Sequence, residues 1–220
     1  MRIAIDGPSG AGKSSLAKEL ARRLGLAYVD TGALYRTVGL YASRAVADVK
    51  DADAVAAALG GCKVAIRFID GDQHVFLGDE DVSGLIRTPE ASMNASAVSA
   101  QPKVREFLLG VQKDMASKDG VIMDGRDIGT VIMPDADCKM FVFASAKARA
   151  ERRYKELVEK GQDVNFDDVL ADIEARDRND REREIAPCVP AADAIMLDNS
   201  EINFEETVEA ALKIIEDNVK

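Results

Sequence analysis

This 220-residue chain contains one histidine, His74, and three cysteines, Cys62, Cys138 and Cys188. A single histidine nearly excludes histidine-based triads and metal clusters. The cysteines are odd in number and widely spaced, with no C-x-x-C pair, so neither a disulfide framework nor a zinc site is indicated. Reduced thiols in a cytoplasmic protein are expected. No apolar run approaches the roughly 18 residues a membrane helix needs. Met1 leads straight into an apolar strand, so no signal peptide is expected. Positive charge is short: 29 Lys and Arg stand against 39 Asp and Glu, for a net charge of −10. That argues against loose electrostatic binding to nucleic acid or to an anionic membrane. We find no internal repeat, low-complexity tract or linker. The length suits one α/β domain with insertions.

The most informative stretch is Gly7-Pro8-Ser9-Gly10-Ala11-Gly12-Lys13-Ser14, which reads G-x-x-x-x-G-K-S, a full Walker A phosphate loop. The apolar run Arg2–Asp6 precedes it as a strand. Leu16, Leu20 and Leu24 follow at helical spacing, and Gly25 is a stop signal. Glycines let backbone N–H groups crowd a polyphosphate, and the helix N-terminus adds partial positive charge. Lys13 supplies a point charge for the β/γ-phosphates, and the Ser14 hydroxyl is a ligand type for Mg²⁺. With strand, loop and helix all in place, a chance glycine turn is disfavoured. The chain is expected to bind a nucleoside triphosphate.

The rest alternates apolar strands with helices, which predicts a parallel sheet covered on both faces. Strands are expected at 26–29, 120–124, 138–143 and 194–198. Helices are expected at 33–46, 51–59, 88–99, 102–117, 147–160, 166–184 and 203–219. Residues 61–100 break the pattern. Cys62–Phe68 and Gln73–Leu77 read as an antiparallel hairpin turning at Gly71-Asp72, and Gly78-Asp79-Glu80-Asp81 as a second turn. This segment reads as an insertion on one edge of the core.

Asp124 ends an apolar strand where a Walker B acid stands; it either holds Mg²⁺, directly or through water, or caps a turn. Arg126 and Asp127 suit an acceptor carrying phosphate and base, or else form a surface ion pair. Arg176, Asp180 and Arg183 are spaced i, i+4, i+7, which predicts one helix face. Residues 145–185 are then either a mobile lid whose arginines close over phosphates or a solvated helical hairpin.

These stretches together resemble the bacterial-type cytidylate kinases, a branch of the nucleoside monophosphate kinases, over nearly the whole chain. The matching segments include Ile5–Ser15, Asp30–Arg36, Glu80–Thr88, Asp124–Thr130, Arg176–Arg183 and Ala186–Ala194. The D-G-R-D-x-G-T and E-D-V-S-x-x-I-R runs are far more specific than the loop. The resemblance implies one P-loop kinase domain over 1–220: a three-layer α/β core with a parallel sheet, a small antiparallel-β and helical insertion at 61–100 binding the monophosphate, and a helical lid at 145–185. It implies transfer of the ATP γ-phosphoryl to CMP or dCMP with Mg²⁺, in a cytoplasmic monomer whose partners are small nucleotides. It places Gly7, Pro8, Ser9, Gly10, Ala11, Gly12, Lys13, Ser14 and Ser15 around ATP, and Ser14 and Asp124 at the metal. Thr31, Tyr35 and Arg36 would hold the acceptor, and Ser96, Arg105 and Asp127 would read its base. Arg126 and Arg183 would meet phosphates, and Arg176 and Asp180 the ribose. Lys13, Arg126, Arg153 and Arg183 would form the charged catalytic set. Thr31 stands where relatives often have serine, keeping the hydroxyl; Asn179 stands where some have a basic residue. The competing readings are a shikimate- or gluconate-type kinase, which would phosphorylate a hydroxyl, and a nucleotide-dependent switch. No N-K-x-D or L-S-G-G segment supports the switch.

Overall fold

A computed structural model describes residues 1–219. The elements in chain order are β1 (Arg2–Asp6), α1 (Lys13–Leu24), β2 (Ala27–Asp30), α2 (Thr31–Ala45), α3 (Ala52–Ala58), β3 (Val64–Ile69), β4 (Asp72–Leu77), β5 (Glu80–Asp81), α4 (Pro89–Ser99), α5 (Pro102–Ala116), β6 (Val121–Gly125), β7 (Cys138–Phe143), α6 (Ala146–Glu159), α7 (Phe166–Glu182), β8 (Ile195–Asp198) and α8 (Phe204–Asn218). The chain divides into two compact units. The first joins Met1–Leu26 to Asp119 and all that follows; the second is Ala27–Lys118. Segment 61–100 falls inside the second unit and 145–185 inside the first.

In the first unit the strands run β6-β1-β7-β8, all parallel. The register sets Ile5 beside Asp124 on one side and beside Met140 on the other. Ile3, Ile5, Ile122, Met123 and Met140 are fully buried, as expected of strands covered on both faces. This register carries the carboxyl ends of β1 and β6, and so the phosphate loop and Asp124, to one edge of the sheet. Gly25 closes α1 in the left-handed region, where glycine carries no Cβ penalty. Asn203 and Glu206 form a reciprocal capping box on α8. Ala150, Leu157, Val169 and Ile173 make a small core joining α6 to α7.

The second unit packs α2 against a core of Leu34, Val38, Val55, Val98, Val104 and Leu108. Its sheet is antiparallel, ordered β3-β4-β5. The β3–β4 turn falls one residue earlier than expected. Ile69 pairs with Asp72, and Asp70 and Gly71 both take positive φ, the conformation a tight two-residue hairpin needs. The next turn is Gly78-Asp79, so Glu80 and Asp81 form a strand rather than the turn the sequence suggested. Thr88 caps α4 by accepting from Ala91 N at 3.0 Å, with Pro89 at its first position, as the sequence indicated.

Candidate active site

In the first unit the phosphate loop joins β1 to α1. Gly7, Gly10 and Gly12 take φ of 144°, 76° and 82°. A Cβ on Gly7 would lie 1.9 Å from the Val142 carbonyl oxygen, so both space and conformation require glycine there. Lys13 Nζ donates to Pro8 O at 2.6 Å. Burial, then the neighbouring charge of Arg126, lowers the Lys13 pKa to about 7. Ser14 Oγ donates to Asp124 Oδ2 at 2.8 Å, and Asp124 is buried at the end of β6. Two hard oxygen donors thus meet at the helix N-terminus. Among the described residues no three His, Cys, Asp or Glu side chains cluster to hold a metal. A serine hydroxyl and one carboxylate fit Mg²⁺, which takes few protein ligands and completes its shell with water and phosphate oxygens.

The D-G-R-D-I-G-T run follows β6. Asp6, at the end of β1, accepts from Ile128 N at 2.8 Å and Gly129 N at 2.7 Å, which pins this run beside the loop. Burial pushes the Asp6 carboxyl up to about 6, against those two backbone bonds. Residues Ile128–Ile132 form a π-helical turn that the sequence did not reveal. Arg126 Nε donates to Asp180 Oδ2 at 2.8 Å. Arg183 lies 3.6 Å from Asp127 Oδ1 and 3.9 Å from Asp180 Oδ1. Burial pushes the Asp180 carboxyl up, but Arg126, Arg183 and Arg176 outweigh it and hold the carboxyl below its ordinary range. Burial, then Arg126, depresses the Arg176 guanidinium.

The helical reading of Arg183 needs correction. α7 ends at Glu182 and Arg183 is extended, with ψ of 139°. Its side chain reaches back, donating to Ala186 O at 2.6 Å. It therefore joins Asp180 across the helix end rather than along one helix face. Arg153 pairs with Glu156 at 2.8 Å and contributes to the depressed pKa of Arg176. On α7 the Arg176, Asp177 and Asp180 side chains are half-buried, while Asp172, Glu174, Arg178, Asn179, Arg181 and Glu182 are exposed.

Arg149, Arg152 and Asn199 were given no individual role in the sequence reading; the structure sets Arg149 and Asn199 on the phosphate loop, with Arg152 holding Asn199. Arg149 Nη1 donates to Ser9 O at 2.9 Å. Asn199 Nδ2 donates to Ala11 O at 2.9 Å, and Arg152 Nη1 donates to Asn199 Oδ1 at 3.1 Å. Only the i, i+3 spacing of the two arginines on α6 hinted that they share a face.

In the second unit Asp30 caps α2, accepting from Ala33 N at 3.0 Å, and its other oxygen takes Arg36 Nη2 at 2.6 Å and Arg87 Nη1 at 3.3 Å. Gln73 clasps the Asp30 backbone through both N and O. Arg36 Nε is buried without a hydrogen-bond partner among the described residues. Thr31 and Tyr35 are buried on the same helix. Arg105 on α5 lies over the Tyr35 ring, 5.5 Å from its centroid, and donates to Ser99 O at 3.3 Å. Ser96 on α4 is half-buried.

The chain matches the cytidylate kinase family model over residues 3–217. It is 46% identical over 220 residues to the cytidylate kinase of Caldicellulosiruptor bescii, covering 100% of this chain and 97% of that one. It is 47% identical over 218 residues to the cytidylate kinase of Mannheimia succiniciproducens, covering 99% and 97%. Among solved structures it is similar to a shikimate kinase from Bacteroides thetaiotaomicron, with a TM-score of 0.51 at 14% identity and 98% coverage of each chain. That likeness speaks to the fold alone.

Proposed function

This chain belongs to the cytidylate kinase family, and from that premise we propose that it moves the γ-phosphoryl of ATP directly, in line, onto a phosphate oxygen of CMP or dCMP. The observation that carries the reading is the loop itself. Three positive-φ glycines, a buried Lys13 and the Ser14–Asp124 pair form a polyphosphate cradle with hard-oxygen metal ligands. The acceptor is already an anion, so no residue need act as nucleophile or strong base. Catalysis becomes positioning plus neutralisation of spreading charge.

Residues 7–15 wrap the ATP phosphates, with Lys13 over the β/γ oxygens. Ser14 and Asp124 would hold Mg²⁺, which would supply further neutralisation of phosphate charge. Arg126, Arg153 and Arg183 supply cationic donors for phosphate, with Arg183 buried beside Asp127 and Asp180. Arg176 and Asp180 take ribose hydroxyls. Thr31, Tyr35 and Arg36 hold the acceptor phosphate, and the unpartnered Nε of Arg36 supports that role. Ser96 and Arg105 serve the cytosine O2 and N3 acceptors, and the Asp127 carboxylate takes the N4 amine. We assign residues 61–100 to monophosphate binding and 145–185 to a closing lid that excludes water. The reading is of a cytoplasmic monomer.

The test is ADP release from MgATP with CMP, dCMP, UMP, AMP, GMP, shikimate or no acceptor. Fast turnover confined to CMP and dCMP is expected. Asp127→Ala should narrow the preference for cytosine over uracil by about tenfold or more, since a base-edge contact is worth about 1–3 kcal/mol. Turnover with shikimate in place of CMP would overturn the reading. Unchanged base choice in the variant would remove Asp127 from its role.

A further inference from the structure

One side chain in the first unit makes more directed contacts than any role assigned above requires. Arg149, on the first turn of α6, is only 3% exposed. Its Nε donates to Ala144 O at 2.9 Å, at the turn between β7 and α6. Its Nη1 donates to Ser9 O in the phosphate loop at 2.9 Å and to Asp177 Oδ1 at 3.0 Å. Its Nη2 donates to Asp177 Oδ2 at 2.5 Å. The planar fork is therefore bidentate to a carboxylate on α7 while also gripping the loop backbone. The loop packs on the stem as well: a Cβ on Gly10 would sit 3.6 Å from Arg149 Cβ.

A guanidinium this buried is costly to desolvate, and among the described residues its carboxylate partner is Asp177. Asp177 lies one residue after Arg176 and three before Asp180, whose carboxylate holds Arg126 at 2.8 Å. Arg149 thus links the ATP-phosphate loop to the helix that carries the ribose and phosphate ligands. Neither of the two residues touches nucleotide in any role given above.

We propose that Arg149 and Asp177 are positioning residues: a buried clamp that holds the Ser9 carbonyl, and so the phosphate loop, in its nucleotide-ready form by anchoring it to α7. The inference rests on the reading of that loop as the ATP site. Without Asp177, the guanidinium keeps only its backbone bonds to Ala144 and Ser9, its charge is left unpaired, and the loop must be reordered each time ATP binds. Charged hydrogen bonds of this kind contribute enough for at least a fivefold effect.

The experiment compares the intact protein with Asp177→Asn, Arg149→Lys and the double variant, and with Arg178→Gln, an exposed change on the same helix. MgADP and CMP binding are measured separately by calorimetry, and thermal midpoints alongside. Asp177→Asn and Arg149→Lys should each weaken MgADP at least fivefold while CMP binding moves less than twofold. The double variant should lose less than the product of the two single losses, the mark of a coupled pair. Arg178→Gln should change neither ligand. Lowered thermal midpoints with unchanged MgADP affinity would make the pair structural only and overturn the proposal, as would equal weakening of both ligands. Failure of the unaltered protein to bind MgADP would instead strike the ATP reading. If Asp177→Asn does not fold, Arg149→Lys, which keeps the charge, carries the same comparison by itself.

Discussion

Lys13 shows how one residue's environment sets its chemistry. Its Nζ rests on Pro8 O, and burial lowers its pKa to about 7. In the unfolded chain the ammonium has its ordinary pKa of 10.5, so between about pH 7 and 10.5 the unfolded state binds more protons. Folding stability therefore rises with pH across that window. Phosphate oxygens beside Nζ favour the charged form and raise its pKa again. MgATP binding at pH 8 should therefore take up close to one proton, read from calorimetry in buffers of different ionisation enthalpy. Lys13→Met should abolish the uptake; an uptake of zero in the unaltered protein would refute the pKa argument. Asp6 is its counterpart, a carboxyl raised to about 6 by burial while it holds Ile128 N and Gly129 N. The Walker loop was legible as a string because each residue type in it answers a phosphate. The role of Asp6 was not, because its partners lie 122 and 123 residues away.

At the scale of elements, α2 begins on a residue with two tasks. Asp30 caps the helix with one oxygen and holds Arg36 and Arg87 with the other. Removing a cap costs about 1 kcal/mol, and stranding a largely buried arginine costs more, on the order of 3 kcal/mol. Asp30→Ala should then lower unfolding stability by about 3–4 kcal/mol, and Asp30→Asn, which keeps the cap, by about 1 kcal/mol less. Both should raise KM for CMP more than KM for ATP. Denaturant midpoints and steady-state kinetics test this, and equal KM changes for the two substrates would detach Asp30 and Arg36 from acceptor binding. Element positions were largely legible in sequence: Thr88-Pro89 marks the start of α4, and Cys138–Phe143 is a strand at the expected bounds. Ends set by distant contacts were not. α7 stops at Glu182, and Arg183 turns back, where Ala186 O and the carboxylates of Asp127 and Asp180 hold its guanidinium.

For the molecule as a whole, the cysteines report on integrity. Cys62, Cys138 and Cys188 are all buried, and burial pushes each thiol up to about 11. Thiolate is the reactive form, so native thiols should be nearly inert at pH 8. A disulfide reagent should label fewer than one thiol per chain over minutes in buffer and all three in denaturant. Fast labelling of the native protein would show that at least one of these sites opens readily. Cys62 belongs to the second unit and the other two to the first, so the order of labelling in rising denaturant reports on each unit separately.

The sequence by itself determined the phosphate loop, the parallel α/β core and the family resemblance. These depend on local rules: glycine at strained dihedrals, apolar strands of the right length, helix caps and stops within a few residues. Tertiary structure alone decided which arginine meets which carboxylate. Between Ser145 and Glu184 there are seven arginines, six on α6 and α7 and Arg183 just past the end of α7, among many acids, and charge and spacing leave their pairing open. Packing of α6 on α7 through Ala150, Leu157, Val169 and Ile173 brings Arg149 to Asp177 and to Ser9. Local spacing describes neighbours along one helix; it holds no information about a carbonyl 140 residues away.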